Sequence, residues 1–247
     1  MFTLVALPLL LLYLLLYLLI VLVSLLGDHL LRLLPVQSTL LHLVIALSDT
    51  AIHGLISSCS WAMAVVVVLG ILATNCDDQQ SPRITSTNLF PFLQHLNVLS
   101  VLKDLLTCFL LAALIDVDHI FAAGSLNIAA MASLERRPVM HNTSLVLLIS
   151  AAAFVSFHLF SYQISFCREE HFHLLWLHFL VASLTHHIRD GLRHGLYLWP
   201  LSPSSTAPVS LPFYFWFLLL FPLLVALLLV TFHFEDVCCG YWAQNDK

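Results

Sequence analysis

Charge is scarce in this sequence. Only 9% of its 247 residues are Asp, Glu, Lys or Arg, while 60% are hydrophobic. A water-facing globular surface carries about 25% charged residues. A shortfall of this size excludes an ordinary soluble domain and implies an outer surface that faces lipid. Basic residues are the scarcer sign: 9 Lys and Arg against 14 Asp and Glu give a formal net charge of -5, so no positive field favours nucleic acid. Closely paired cysteines are missing as well. Cys59, Cys76, Cys108, Cys167, Cys238 and Cys239 contain no CxxC spacing, which leaves a zinc ribbon or a thioredoxin-like site without support. Cys59 and Cys108 fall inside apolar runs and read as small core residues, whereas Cys238 and Cys239 follow the last run, a place where lipidation is conceivable. No internal repeat is evident.

What the chain does have is long apolar runs and histidine. A membrane span needs about 20 apolar residues. Six runs are candidates: residues 3–27, Leu41–Thr74, Val98–Ile120, Ser144–Phe160, His173–Arg189 and Leu211–Phe232. The first has no basic leader and is too long for a signal-peptide core, so it reads as a retained span. "NCDDQQSPRITSTNLFP" and "PLSPSSTAP" are polar, proline-punctuated loops. The fold class expected is all-α, a polytopic membrane bundle of about six transmembrane helices. It divides into an N-terminal leucine-rich span and loop (1–40), a helical core carrying His/Asp motifs (41–200), and a loop with the last span and a short tail (201–247). Arg32, Arg136, Arg137, Arg189 and Arg193 sit in or beside the loops after the odd spans, a slight basic bias that places those loops in the cytosol and both termini outside.

Histidines number 14 among the 37 ionisable side chains, and His is both a near-neutral proton carrier and the commonest metal ligand. The polar groups fall at corresponding ends of the runs. "SDTAIHG" puts Asp49 and His53 four residues apart on one helical face. "LIDVDHIF" ends the third run with Asp116, Asp118 and His119. "RRPVMHNTS" carries His141 to the start of the fourth, and "SLTHHIRDGLRHG" ends the fifth with His186, His187 and Asp190. With six spans, all four groups approach one membrane face. An acidic side chain at mid-bilayer costs about 2.5–3.5 kcal/mol on insertion scales, so several of them are expected to gather in one pocket rather than face lipid. Imidazole and carboxylate together suit a divalent transition metal such as zinc. A bland alternative exists for each group: Asp116 or Asp118 capping the next helix, an ion pair of Asp190 with Arg189 or Arg193, and a hydrogen bond between helices from His53. His158, His171, His173 and His178 read as interfacial or interhelical donors. Arg136 and Arg137 read as membrane anchors that contact phosphate headgroups. Asn142 opens a glycosylation sequon, "NTS", that the cytosolic placement leaves unused.

"LIDVDHIFAAGS", "LERRPVMHNTS" and "SLTHHIRDGLRHGLYLWPL" closely resemble the transmembrane protein 267 family of animals. More distantly, the chain resembles the bacterial LexA-regulated inner-membrane metal-dependent hydrolases, over roughly residues 45–200. That resemblance implies a metal held by His53, Asp118, His119, His141, His186 and Asp190, with Asp116 as an orienting carboxylate or general base. Gly195, Trp199 and Pro200 match the ending that follows the last ligands. It also implies hydrolysis of a lipid-like or phosphate ester drawn from the membrane, with Arg189 or Arg193 neutralising an anionic head. Three positions depart from the bacterial motifs: Ile115 replaces a proline, Pro138 a glycine, and Arg136 a histidine ligand, which a guanidinium cannot replace at ordinary pH. Two rival expectations therefore stand beside the hydrolase: a non-catalytic membrane protein that keeps the pocket structurally, and a metal or proton transporter.

Overall fold

The computed structural model describes residues 2–33, 39–75, 98–125, 127, 130–131, 134, 137–161, 169–202 and 204–243. In chain order the elements are α1 (Phe2–Leu33), α2 (Thr39–Asn75), α3 (Val98–Ile115), a short α4 (Asp118–Ala123), a single 3₁₀ turn (Val139–His141), α5 (Thr143–Ser161), α6 (Glu169–His194) and α7 (Leu211–Ala243). Among the described residues there is no β-sheet, only isolated backbone bridges that join Tyr197 to Asn142 and to Ser205. An all-α architecture is what lipid demands, because a helix satisfies its backbone polar groups within itself.

Among the described residues, four helical stretches are long and apolar enough to cross a membrane: Leu7–Leu30, Leu40–Ile71, Val98–Ala123 and Leu211–Thr231. Leucines such as Leu11, Leu15, Leu18 and Leu22 on α1, Leu102 and Leu106 on α3, and Leu220 and Leu224 on α7 stand exposed on the outside of the bundle. A shorter apolar stretch, Thr143–Ser156, lies in α5. Helix α6 differs. It carries the polar cluster, yet Leu177, Val181, Ala182, Ser183, Thr185, His186, His187 and Ile188 are all buried. It packs against α2, α3, α5 and α7, which screen its polar side chains from lipid. The chain is a multi-pass integral membrane protein built as a helical bundle.

Two packed layers hold α6 in place. Leu9, Tyr13 and Ile20 of α1, Ile56 and Met63 of α2, Ile188 of α6, and Tyr214 and Leu218 of α7 form one. Trp61 and Ala64, Cys108, Leu177 and Val181, and Phe221, Val225 and Ala226 form the other, from α2, α3, α6 and α7. Lipid tails are as apolar as leucine, so close contact and hydrogen bonds bind such helices. Small residues permit the contact. A Cβ at Gly54 of α2 would come within 2.5 Å of the Phe109 ring on α3. The phenolic side chains supply hydrogen bonds: Tyr13 donates to the Leu219 carbonyl, Tyr17 to that of Phe215 at 3.3 Å, and the Tyr214 hydroxyl lies 3.0 Å from Ser24 Oγ.

The segment between α6 and α7 folds back over one end of the bundle. Gly195 leaves α6 with φ +72°, and a Cβ there would fall 1.9 Å from the Thr206 carbonyl oxygen, so only glycine fits. The loop is then tied down by Thr206 N–H to Leu196 O at 2.9 Å, Val209 N–H to Gly191 O at 2.8 Å and Thr143 N–H to Tyr197 O at 2.8 Å. Asn142 fixes the start of α5 on both sides. Its Oδ1 accepts the Leu145 N–H at 3.2 Å, as an N-cap does, and its Nδ2 donates to the Trp199 carbonyl at 2.8 Å. At 3% exposure, with its amide engaged, Asn142 has no room for a glycan in this fold.

Candidate metal centre

The break after α3 brings "LIDVDHIF" to the site. Helix α3 ends at Ile115 and α4 restarts at Asp118, with Asp116 and Val117 in the two-residue turn between them. Neither carboxylate acts as a simple helix cap. Asp116 Oδ2 accepts the Thr50 hydroxyl of α2 at 2.6 Å. Asp118 Oδ2 accepts the Met140 N–H at 2.7 Å and so holds the 3₁₀ turn that carries His141.

Around His141 Nε2 four other donor atoms converge: His186 Nε2 at 3.2 Å, His119 Nε2 at 3.4 Å, Asp190 Oδ2 at 3.5 Å and Asp116 Oδ1 at 3.6 Å. Asp116 Oδ1 is also 3.5 Å from His186 Nε2. Ligand atoms about 2.0–2.2 Å from a tetrahedral centre stand about 3.3–3.6 Å from one another, and the four separations from His141 Nε2 are of that size. The reverse sides of two rings agree. His141 Nδ1 lies 3.2 and 3.4 Å from the two Asp118 oxygens, and His186 Nδ1 lies 3.1 Å from the Ala112 carbonyl. Those oxygens only accept, so each Nδ1 carries its proton and each Nε2 turns a lone pair inward. Lone pairs and carboxylate oxygens facing one another call for a cation between them. In the protein alone that cation is a proton. Burial opposes a charge on His141, but hydrogen bonds to Asp116 and Asp118 outweigh it and push its pKa up to about 9.

Two sets of three could hold an ion: Asp116, His119 and His141, and His53, His186 and Asp190. The sequence-predicted residues His53, Asp116, Asp118, His119, His141, His186 and Asp190 thus all come together at one end of the bundle. They differ in what they face. Asp118 addresses the back of His141 rather than the centre. His53 stacks on His186 with ring centroids 3.8 Å apart, and its Nε2 lies 3.5 Å from Asp190 Oδ1. That same Nε2 is 2.9 Å from Arg189 Nη1, so its lone pair receives a guanidinium proton. Arg136, the departure at an expected ligand position, lies outside the described residues.

Beside the centre runs a second polar group that the sequence reading did not assemble. Arg189, 1% exposed, reaches Asp49 Oδ1 at 2.6 Å and Asp28 Oδ1 at 2.9 Å. Arg193 pairs with the same two acids, 2.9 Å from Asp49 Oδ2 and 2.5 Å from Asp28 Oδ1. Two cations and two anions from α1, α2 and α6 make a neutral cluster. Both arginines are therefore engaged within the protein, rather than free to meet an anionic substrate. Asp28, near the end of a leucine-rich span, gave no sign of this partnership beyond being an acid in an apolar run.

Farther along the bundle, His178 of α6 packs on Trp61 with centroids 4.1 Å apart, and its Nε2 is 3.5 Å from Asp104 of α3. This matches the interhelical role read for His178. The side chains of His158, His171, His173, Cys238 and Cys239 lie outside the described ones.

No family model matches the chain, and no solved structure matches it. The bacterial hydrolase resemblance consequently rests on its motifs alone. Curated proteins do match. Transmembrane protein 267 of Mus musculus is 32% identical over 186 residues, covering 75% of this chain and 69% of that protein. Its Danio rerio namesake is 31% identical over 185 residues, 74% of this chain and 66% of the relative. The Xenopus laevis protein is 37% identical over 98 residues, 40% of this chain and 42% of the relative. Coverage and identity of this extent settle the relationship: the chain belongs to the transmembrane protein 267 family.

Proposed function

We propose that this protein is a metal-dependent membrane hydrolase whose centre holds a divalent cation, zinc by donor type, and cleaves a lipid-like or phosphate ester. The observation that carries the reading is that His119, His186, Asp116 and Asp190 each bring a donor atom within 3.2–3.6 Å of His141 Nε2. Nitrogen and oxygen donors in such a set suit zinc. In this reading the roles expected for two acids exchange: Asp116 joins the ligands, and Asp118 orients His141 from behind. His53 stacks on His186 and steadies its ring.

A divalent metal bound there supplies Lewis acidity and lowers the pKa of a coordinated water to about 7. His187 borders the same centre. Its Nε2 is 2.8 Å from the Met140 carbonyl, so the ring proton sits on Nε2 and Nδ1 is left as a lone pair. That Nδ1 is buried without a partner, on a ring that lines the cleft beside Asp190. Hydrolysis would add the water oxygen to the ester centre, break the ester bond and pass the water proton to the departing alcohol.

The test is elemental analysis of the detergent-purified chain, wild type against His186→Ala with Asp190→Ala. About one metal or more per chain in the wild type, lost in the variant, followed by metal-dependent turnover of a phosphoester and lipid-ester panel, supports the reading. A metal-free wild type sinks it. A second reading, transport, draws on the buried Asp104–His178 pair, which lies eight residues, or about 12 Å, along α6 from His186. Metal or proton flux into protein-loaded vesicles without ester cleavage would favour it.

A further inference from the structure

A shallow cleft beside the centre is lined by Arg137, His141, Thr143, His187, Asp190 and Tyr197 among others. Arg137 differs from Arg189 and Arg193. Arg189 and Arg193 each meet two carboxylates within 2.9 Å. Arg137 is 22% exposed, and its nearest described acid is Asp190, with Nη1 to Oδ2 at 3.8 Å, too far for a hydrogen bond. It is a guanidinium at the edge of the centre that makes no close carboxylate hydrogen bond among the described residues.

We infer that Arg137 forms a phosphate subsite: its fork grips two oxygens of a phosphate group whose ester linkage then lies over the ligand cluster. The inference rests on the hydrolase reading and names its substrate class. A planar guanidinium matches a phosphate edge with two parallel hydrogen bonds, which a lysine's point charge does not. Asp190 bridges the two sites, with one oxygen 3.8 Å from Arg137 and the same oxygen 3.5 Å from His141 Nε2. A head gripped by Arg137 is therefore within one residue's width of the centre. The neutral Arg189/Arg193 cluster cannot do this without abandoning Asp28 and Asp49. Arg137 is thus a specificity residue of the site, beyond the anchor role its loop position suggests.

The full chain in detergent is titrated calorimetrically with inorganic phosphate, and in nanodiscs its binding to phosphatidic acid is compared with phosphatidylcholine alone. Wild type, Arg137→Gln and Arg137→Lys are compared, with bound metal and thermal unfolding measured on each. The expected result is that Arg137→Gln weakens phosphate binding about ten- to a hundredfold, the size of a lost charge-assisted pair, with metal content unchanged. Arg137→Lys keeps part of the affinity, and it carries the test if Arg137→Gln does not fold. Phosphate alone binding points to a soluble ester, and phosphatidic acid binding more tightly points to a lipid head. The subsite is overturned if wild type binds neither, or if Arg137→Gln binds as wild type does. Metal-free protein that still binds phosphate through Arg137 removes the hydrolytic reading and leaves the subsite standing.

Discussion

Two polar clusters share one end of this bundle and solve burial in opposite ways. In the Arg189/Arg193 cluster, donors meet acceptors and two positive charges balance Asp28 and Asp49. In the His/Asp cluster, acceptors meet acceptors: the Nε2 lone pairs of His141 and His186 face each other and two carboxylates. The first cluster is complete as it stands and ties α1, α2 and α6 together. The second is complete only with a cation at its middle. Closed polar groups inside a membrane protein build the frame, and open ones mark where something is meant to bind.

The sharpest way to break the comparison is to unbalance the closed cluster. Arg189→Met leaves its two acids facing one cation, and loss of one partner from a buried ion pair costs about 3–5 kcal/mol. Unfolding in detergent should show that loss. Replacing Asp28, Asp49, Arg189 and Arg193 together by leucine should recover most of it, since apolar replacements of whole buried pairs are near neutral. If the single and the fourfold variant are equally unstable, charge balance is not what the cluster provides.

The open cluster should respond to metal instead. Zinc at about a hundred times its dissociation constant should stabilise the wild type by about 2.7 kcal/mol and leave His186→Ala with Asp190→Ala unmoved. A rise in unfolding temperature of equal size in both proteins would place the metal elsewhere. Asp118→Asn is a smaller intervention, because it changes only the back of His141. Losing the hydrogen bond behind a ligating ring reduces metal affinity about 10–100-fold, which competition with a chelating dye would measure. A variant that binds as the wild type does would contradict the orienting role.

The smallest effect belongs to the frame around the site. Asn142→Ala removes the α5 cap and the tie to Trp199, for about 1 kcal/mol of stability. Metal affinity should change little. Glycan-shift electrophoresis of the wild type should show no sugar at Asn142, and a shift there would mean that the loop is not packed as described.

Much of the architecture is legible in the residues. The apolar runs become helices near their expected limits, because a long run with no breaker has no lower-energy state in lipid. The limits that shift do so for local reasons. The run expected as Val98–Ile120 breaks at Asp116, where Thr50 and the Met140 amide draw two carboxylates apart and α4 restarts. The run expected from His173 begins at Glu169 and continues to His194. Apolarity underestimates α6 because its neighbours, not lipid, surround it. Within the site, His and Asp types could be found from the sequence, since they are rare in spans. Their division of labour could not. Nothing in "LIDVDHIF" says that Asp116 faces the centre and Asp118 the back of a ring, for that depends on one turn of backbone. The arginine partners were hidden for the same kind of reason: Asp28 and Asp49 meet Arg189 and Arg193 only through the packing of α1 and α2 against α6.

That pairing has a consequence for how the chain is made. Asp28 leaves the ribosome 165 residues ahead of Arg193, and Asp49 leaves 140 residues ahead of Arg189. At about 5–20 residues per second, each acid waits roughly 10–30 s for its counter-charge. Through that interval the two earliest spans must keep their carboxylates wet or protonated, and they cannot lock against the bundle until the arginine-bearing helix has been threaded between them and the rest.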